Sequence, residues 1–451
     1  MVLPDKRPIN PPSKRLILCF DGTWNAISDP NLATNVVKIA NSVSLQDPNG
    51  VNQICYYNSG VGSGGPIDRF MGGVFGAGLK SNVKRAIAFL ALNYRTGDEI
   101  YLFGFSRGAY TARAVAGVLG VVGIPKQIRD AEMHWDRYRR MAKLQSKQRD
   151  LDRGSKKYKK LQEQIELIRK DDKRPTNYEP DELKITCVGV FDTVGAYGVP
   201  SGFGLSGLPH LFTYWTRGFH SRKFGSQVQV GLHAMAVDEM RRPFEPTFWL
   251  QKEDERLEQG QVVEQVWFPG VHSNVGGGYD NSGLSDLALA WMISRVREHT
   301  GLHFDEDELL EQVWPCTAGT LYLSSKGGWF SRARSVLPAA VGGTASGSTG
   351  KAGTANSKRR LRVNEGVHWS VQDRVALDGT PVDGVGVQKY APGNLKADKY
   401  SVPSDLEIKL CSPGRKWRDE KCPRVKLKLP CECKLRPPIA MRGLGQPAPP
   451  T

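Results

Sequence analysis

A chain of 451 residues with 39% hydrophobic and 24% charged residues can bury a large core and has the composition of a globular protein. No run of about 18 apolar residues offers a spanning helix, and eight cysteines are too few for a disulfide scaffold. The net charge of +16 comes from two places, since residues 131–180 hold 15 Lys/Arg against 9 Asp/Glu and residues 351–451 hold 20 against 10. Such basicity suits an anionic membrane, a nucleic acid or an acidic partner, or serves only solvation.

The opening MVLPDKRPINPPSKR lacks the apolar stretch of a Sec-type leader, so residues 1–13 are expected to be a disordered arm of a protein cytoplasmic in the cell that makes it. RLILCF, from Arg15, reads as a buried strand running into the turn DGTWN, and QICYYN at 53–58 as a second strand. A glycine-rich loop over 60–78 follows, then a helix, LKSNVKRAIAFLALNYR. IYLFGF is the next strand, and RGAYTARAVAGVLG has small residues at 108, 109, 112 and 116 that let a helix lie close to a sheet. Residues 131–180 read as an inserted basic helical hairpin, after which ITCVGVFD, GLHAMAVDE and VVEQVWF resume the strands and LSDLALAWMISRVREH the helices. Strand and helix in alternation predict an α/β fold with a mostly parallel central sheet flanked by helices. Residues 341–360 read as a linker, 376–434 as a basic C-terminal extension and 435–451 as a disordered tail. Cys19, Cys55 and Cys187 lie in strand-like runs and read as buried thiols. Cys411, Cys422, Cys431 and Cys433 lack the paired spacing of a zinc site, so no metal is expected.

The segment EIYLFGFSRGAYTARAVAG supplies strand, sharp turn and helix around a Gly-x-Ser-x-Gly pattern. There Gly104 and Gly108 keep side chains away from the crossing, and Ser106 stands at a helix N-terminus, where developing negative charge is favoured. A serine nucleophile needs a base, and that base needs an orienting carboxylate. Among eight histidines, His272 follows a strand into a glycine-rich loop, with His210, His220 and His233 as weaker candidates. Asp192 closes the run ITCVGVFD and is preferred as the acid; Asp238 competes, but Arg241 and Arg242 nearby favour an ion pair for it. Oxyanion donors are expected from the backbone of Arg107 and from Gly22 or Thr23 in FDGTWN. That turn also resembles the opening of haloacid-dehalogenase phosphatases, but Cys19 stands where their nucleophilic aspartate belongs. The glycine-rich loop has no GKS or GKT for a nucleotide phosphate.

LCFDGTWN, GVGSG…DRFMGGVFGAGL, GFSRGAYTARAVAG, GVFDTVGA, MAVDEMRRPFEP, WFPGVHSNVGGGY and EGVHWSVQDR stand in the order of one α/β-hydrolase family. The chain resembles the catalytic domain of type VI secretion phospholipase effectors of the Tle type, over roughly residues 14–374. The resemblance implies an α/β-hydrolase domain over residues 14–375, phospholipid ester hydrolysis of phospholipase A type, and a triad of Ser106, Asp192 and His272. It also implies a secretion-apparatus partner, an immunity protein and export to a target cell. Asn274 stands where the family commonly has an acidic residue. The apolar run over 202–220, with Phe203, Leu208, Phe212 and Trp215, reads as a lid or membrane-docking loop, its alternative being a buried cap helix. The expected partner is a phospholipid surface, with no cofactor and no nucleic acid. Two alternatives stay open: an intracellular carboxylesterase on a soluble ester, and a non-catalytic basic binding protein.

Overall fold

The computed structural model describes residues 13–22, 32–60, 74–148, 151–170, 177–194, 224–241, 244, 246–252, 257–323, 360–362 and 365–392. Its centre is a seven-stranded sheet in which every pairing is parallel. In chain order the strands are β1 (Arg15–Phe20), β2 (Gln53–Asn58), β3 (Glu99–Phe105), β4 (Lys184–Phe191), β5 (Val228–Ala236), β6 (Val262–Phe268) and β7 (Glu365–Val367). Their spatial order is β2-β1-β3-β4-β5-β6-β7. The chain steps outward once, from β1 to β2, then crosses back over β1 to β3 and proceeds the other way. The reversal leaves a crevice between the C-terminal ends of β1 and β3, where open parallel sheets place their ligands.

Strand alternation sends side chains to two separate cores. Leu16, Leu18, Phe20, Ile100 and Leu102 face helices α2 (Val74–Asn93), α3 (Arg107–Val122) and α4 (Ala131–Gln148). Ile17, Cys19, Tyr101, Phe103 and Phe105 face α1 (Asn35–Ser42) and the long helix α7 (Gly283–His299), together with Leu309 of α8 (Glu306–Gln312). Because both faces are covered, the central strands read as continuous apolar runs. The inserted segment forms α4 and α5 (Lys156–Arg169); Trp135, Tyr138 and Met141 bury one face of α4 against the first core, and Ser155 caps α5 at Tyr158 N.

Two details differ from the sequence-based expectation. Helix α2 begins at Val74, so part of the glycine-rich stretch is helical. Cys55 is exposed, not buried, because β2 is an edge strand; Cys19 and Cys187 are buried. The segment after α9 (Trp369–Ala376) folds back as an antiparallel pair, Thr380–Val382 with Gly386–Gln388, and Tyr390 reaches Asp238 near the C-terminal edge of the sheet. Cys411, Cys422, Cys431, Cys433, the linker over 341–359 and the tail lie outside the described residues.

Candidate active site

At the end of β3 the chain turns into α3 within one residue, Ser106, whose φ of 58° and ψ of −117° lie where non-glycine residues are rarely found. Its amide donates to Phe191 O on β4 (3.0 Å), and its hydroxyl is not spent on capping the helix. The flanking glycines are required by space. A Cβ on Gly108 would stand 2.0 Å from Phe20 O, and one on Gly104 would stand 2.5 Å from Gly108 O. Helix α3 can therefore meet both β1 and β3 only with hydrogen at these positions.

His272 opens α6 (His272–Gly276), after the loop that leaves β6. The Ser106 hydroxyl donates to His272 Nε2 at 2.8 Å, and His272 Nδ1 donates to Asp192 Oδ2 at 2.7 Å. The carboxylate can only accept, so it selects the Nδ1–H tautomer and leaves Nε2 as the acceptor. Ser106 and His272 are each 6% exposed and Asp192 is fully buried. The imidazole packs against two rings, Phe105 with centroids 4.7 Å apart and Phe244 in a T-shaped contact at 4.8 Å.

Asp192 has a φ of 37°, the second non-glycine residue with positive φ among the described residues. Four contacts hold it there: its amide donates to Ala234 O (2.7 Å), its Oδ1 accepts from Ala236 N (3.1 Å), Oδ2 accepts from the imidazole, and the next amide, Thr193 N–H, donates to His233 Nε2 (3.1 Å). His233 thus holds the residue next to the acid, and burial keeps it neutral by pushing its pKa well down.

The sequence model of the T6SS phospholipase effector Tle1-like catalytic domain matches residues 14–295. The chain belongs to this family. An uncharacterized protein of Saccharomyces cerevisiae, YEL023C, is 32% identical over 214 residues, covering 43% of this chain and 29% of that protein. Among solved structures, a Tle1 effector bound to the VgrG spike of the type 6 secretion system aligns at 17% identity and a TM-score of 0.33, over 60% of this chain and 52% of that one. An uncharacterized protein from Pseudomonas aeruginosa aligns at 16% identity and a TM-score of 0.37, over 67% and 49%. The chain thus spans less than a third of the yeast relative and about half of each solved chain.

Within this Tle1-like domain the other expected site residues fall as follows. Arg107 is the first residue of α3, so its amide points out of the helix N-terminus beside Ser106, and burial lowers its guanidinium pKa to about 10. Gly22 does not fit the role expected of it, because its amide donates to Asp21 Oδ1 at 2.6 Å. The Asp21 carboxylate, fixed also by Thr34 Oγ1 (2.7 Å) and Tyr57 Oη (2.8 Å), pulls that amide into the turn. Thr23, Phe203, Leu208, Phe212 and Trp215 lie outside the described residues, as do His210 and His220.

Asp238 is not in the hydrogen-bonded line; of the two arginines expected to pair with it, Arg241 pairs with Glu239 and Arg242 lies outside the described residues. Asp238 Oδ2 accepts from Gly270 N (2.6 Å) and Tyr390 Oη (2.7 Å), pinning the loop before His272, and burial raises its pKa. The ion pair with Arg241 belongs to Glu239, a fully buried residue that sequence reasoning passed over. Asn274 uses its amide both ways, with Oδ1 accepting from Val271 N (3.3 Å) and Tyr322 N (3.2 Å) while Nδ2 donates to Thr320 O (3.1 Å).

Proposed function

We propose that the protein is a serine hydrolase that cleaves fatty-acyl esters of phospholipids, with Ser106 as nucleophile, His272 as general base and Asp192 as the orienting acid. The observation that carries this reading is the continuous line from Ser106 Oγ through the imidazole to Asp192 Oδ2, on a strained turn between β3 and α3. The family description supplies the substrate class.

In this mechanism His272 Nε2 takes the hydroxyl proton as Ser106 Oγ attacks the acyl carbonyl. Asp192 holds the ring and stabilises the imidazolium that forms. The Arg107 amide, aided by the α3 dipole, receives the oxyanion, and with the Gly22 amide engaged by Asp21 the second donor is assigned to Thr23. The imidazolium then protonates the departing lysolipid oxygen, and water activated by the same base releases the fatty acid. Every step uses side chains and backbone amides of this chain.

Residues 202–220, with Phe203, Leu208, Phe212 and Trp215, are assigned to acyl-chain or bilayer contact, and the basic hairpin to anionic headgroups. Among the described residues no helix is long and apolar enough to cross a membrane. A secretion-apparatus partner, an immunity protein and delivery to a target cell rest on the family alone; ester hydrolysis rests also on the site.

The test compares wild type with Ser106→Ala on mixed phospholipid vesicles, following fatty-acid release, with circular dichroism to confirm folding. Release by wild type and its loss in a folded variant support the proposal. Activity confined to short soluble esters replaces the phospholipase by a carboxylesterase, and an undiminished Ser106→Ala removes the serine mechanism.

A further inference from the structure

His272 is held by more than its triad partners. Glu239, two residues past Val237 on the chain leaving β5, is fully buried, and its Oε2 accepts from the His272 backbone amide at 3.3 Å. The same carboxylate is gripped by Arg241 three times: Oε1 accepts from the Arg241 amide and Nε, and Oε2 from Nη2, each at 2.9 Å. The guanidinium in turn lies 3.7 Å from the centroid of the Phe244 ring, which makes a T-shaped contact with the imidazole. From Glu239 the bracket thus runs to the backbone of His272 on one side, and through Arg241 and Phe244 to its ring on the other.

We propose that the Glu239–Arg241 pair is a positioning and charge-setting unit for His272, fixing the imidazole's place and balancing the charge around it. The inference rests on the reading of His272 as the general base. An ion pair next to a titrating base acts with both signs. Glu239 alone favours the imidazolium, and Arg241 alone opposes it; together they nearly cancel, leaving Asp192 as the dominant charge on the ring. Glu239 is ionised in this arrangement: burial pushes its pKa up, but the hydrogen bonds and charge of Arg241, with His272 adding to them, hold it below the ordinary value.

Among the described residues, the other charged or titratable groups around the imidazole are Ser106 and Arg107 on α3, Asp192 after β4 and Asp238 beside Glu239. Tyr279 in the loop after α6 completes the set, within electrostatic reach of Glu239 and Arg241. Changing either member of the pair also changes the charge that Asp238 and Tyr279 feel, so the double variant, which removes both charges, serves as the control.

The experiment measures the acidic limb of kcat/KM on a short soluble ester for wild type, Glu239→Gln, Arg241→Gln and the double variant. In parallel, the His272 ring resonance is titrated by NMR in the Ser106→Ala background, assigned with His272→Gln. Glutamine can still accept from the His272 amide, so Glu239→Gln removes charge while keeping the hydrogen bond. The unpaired arginine then disfavours the imidazolium, and limb and resonance move to lower pH by about 0.5 to 1 unit. Arg241→Gln leaves the Glu239 carboxylate without the arginine's charge and moves both upward by a similar amount. The double variant returns to within about 0.3 unit of wild type, as expected for two coupled charges.

Folded single variants that titrate with wild type would overturn the proposal, as would shifts of the same sign in both. A double variant no closer to wild type than either single one does so too. Failure of the triad reading shows elsewhere, as undiminished activity in Ser106→Ala, and the NMR titration reads the pair's charge effect without any turnover.

Discussion

At the scale of single residues, the site depends on positions where chemistry or space leaves one choice. Asp192 must be an acceptor at both oxygens, taking Ala236 N–H at Oδ1 and the imidazole at Oδ2. Asp192→Asn can satisfy one of these only by turning its NH₂ toward the other, so the Nδ1–H tautomer loses its anchor. The expected result is a kcat lower by about 10³- to 10⁴-fold on a short ester, with the circular dichroism spectrum unchanged. A loss under tenfold would mean that another carboxylate serves the histidine. Gly108 is the opposite case, a position defined by what it lacks. Its missing Cβ leaves room for Phe20 O, and Gly108→Ala must separate α3 from β1. We expect a loss of about 3 kcal/mol in urea unfolding, the upper part of the range for overpacking. A change below about 1 kcal/mol would show that α3 shifts freely, contrary to its close seat on two strands.

At the scale of elements, α1 and α7 are locked by charge within the second core. Lys38 Nζ on α1 lies 2.6 Å from Asp286 Oδ1 on α7, and the other oxygen accepts from Ser282 Oγ (2.7 Å) and Trp314 N (2.9 Å). Lys38→Met strands a buried carboxylate and should cost about 3 to 5 kcal/mol by urea unfolding, whereas the double variant Lys38→Met/Asp286→Leu should recover a good part of it. Equal losses in the single and double variants would count against the ion pair as the lock. Elements like these are legible in a sequence when local pattern decides them. The apolar runs of β1, β3 and β4 and the small-residue spacing of α3 announce a covered parallel sheet. The motif glycines locate the turn that carries Ser106. Asp192 and His272 are legible for the same reason, since each ends a buried strand and begins a loop. What pattern does not carry is pairing across the fold. Cys55, like Cys19, sits in a strand-like run, and only the strand order makes β2 an edge. Glycine at position 22 suggests an available amide, but the neighbouring Asp21 claims it. Asp238 and Glu239 are adjacent acids near two arginines, and sequence alone does not say which acid Arg241 takes. The structure gives Arg241 to Glu239 and leaves Asp238 to the Gly270 amide and Tyr390.

At the scale of the whole molecule, a sheet covered on both faces buries several histidines in a neutral form, and this couples stability to pH. His134 is fully buried, with its Nε2 2.9 Å from Gly123 O, and burial lowers its pKa to about 4 despite that hydrogen bond. His368, stacked at 4.4 Å on Phe268, is lowered to about 3 by burial, and His233 is driven well down by burial and by the charge of Arg113. In the unfolded chain each returns to about 6.5. Below that pH the unfolded state binds protons that the folded state refuses, so the contribution of each is intact above about pH 6.5 and is lost as pH falls toward the folded value. With three such groups, stability should fall by as much as about 4 kcal/mol per pH unit between pH 6 and pH 4.5, from about 1.4 kcal/mol per unit for each proton. Carboxylates held low by their partners, such as Glu239, add to the loss only below about pH 4.5, while Asp238, raised by burial, opposes it as it takes up its proton, so the histidine share is read from the difference that His134→Gln makes. Urea unfolding from pH 7.5 to 4.5 measures the slope. His134→Gln keeps a hydrogen-bond donor for Gly123 O but cannot titrate, and should flatten the slope by about 1.4 kcal/mol per pH unit while lowering stability at pH 7.5 by a pH-independent amount. A wild-type protein equally stable at pH 7 and pH 5 would mean that these rings reach a proton without unfolding, through an opening of the cores that their burial in the folded state does not reveal.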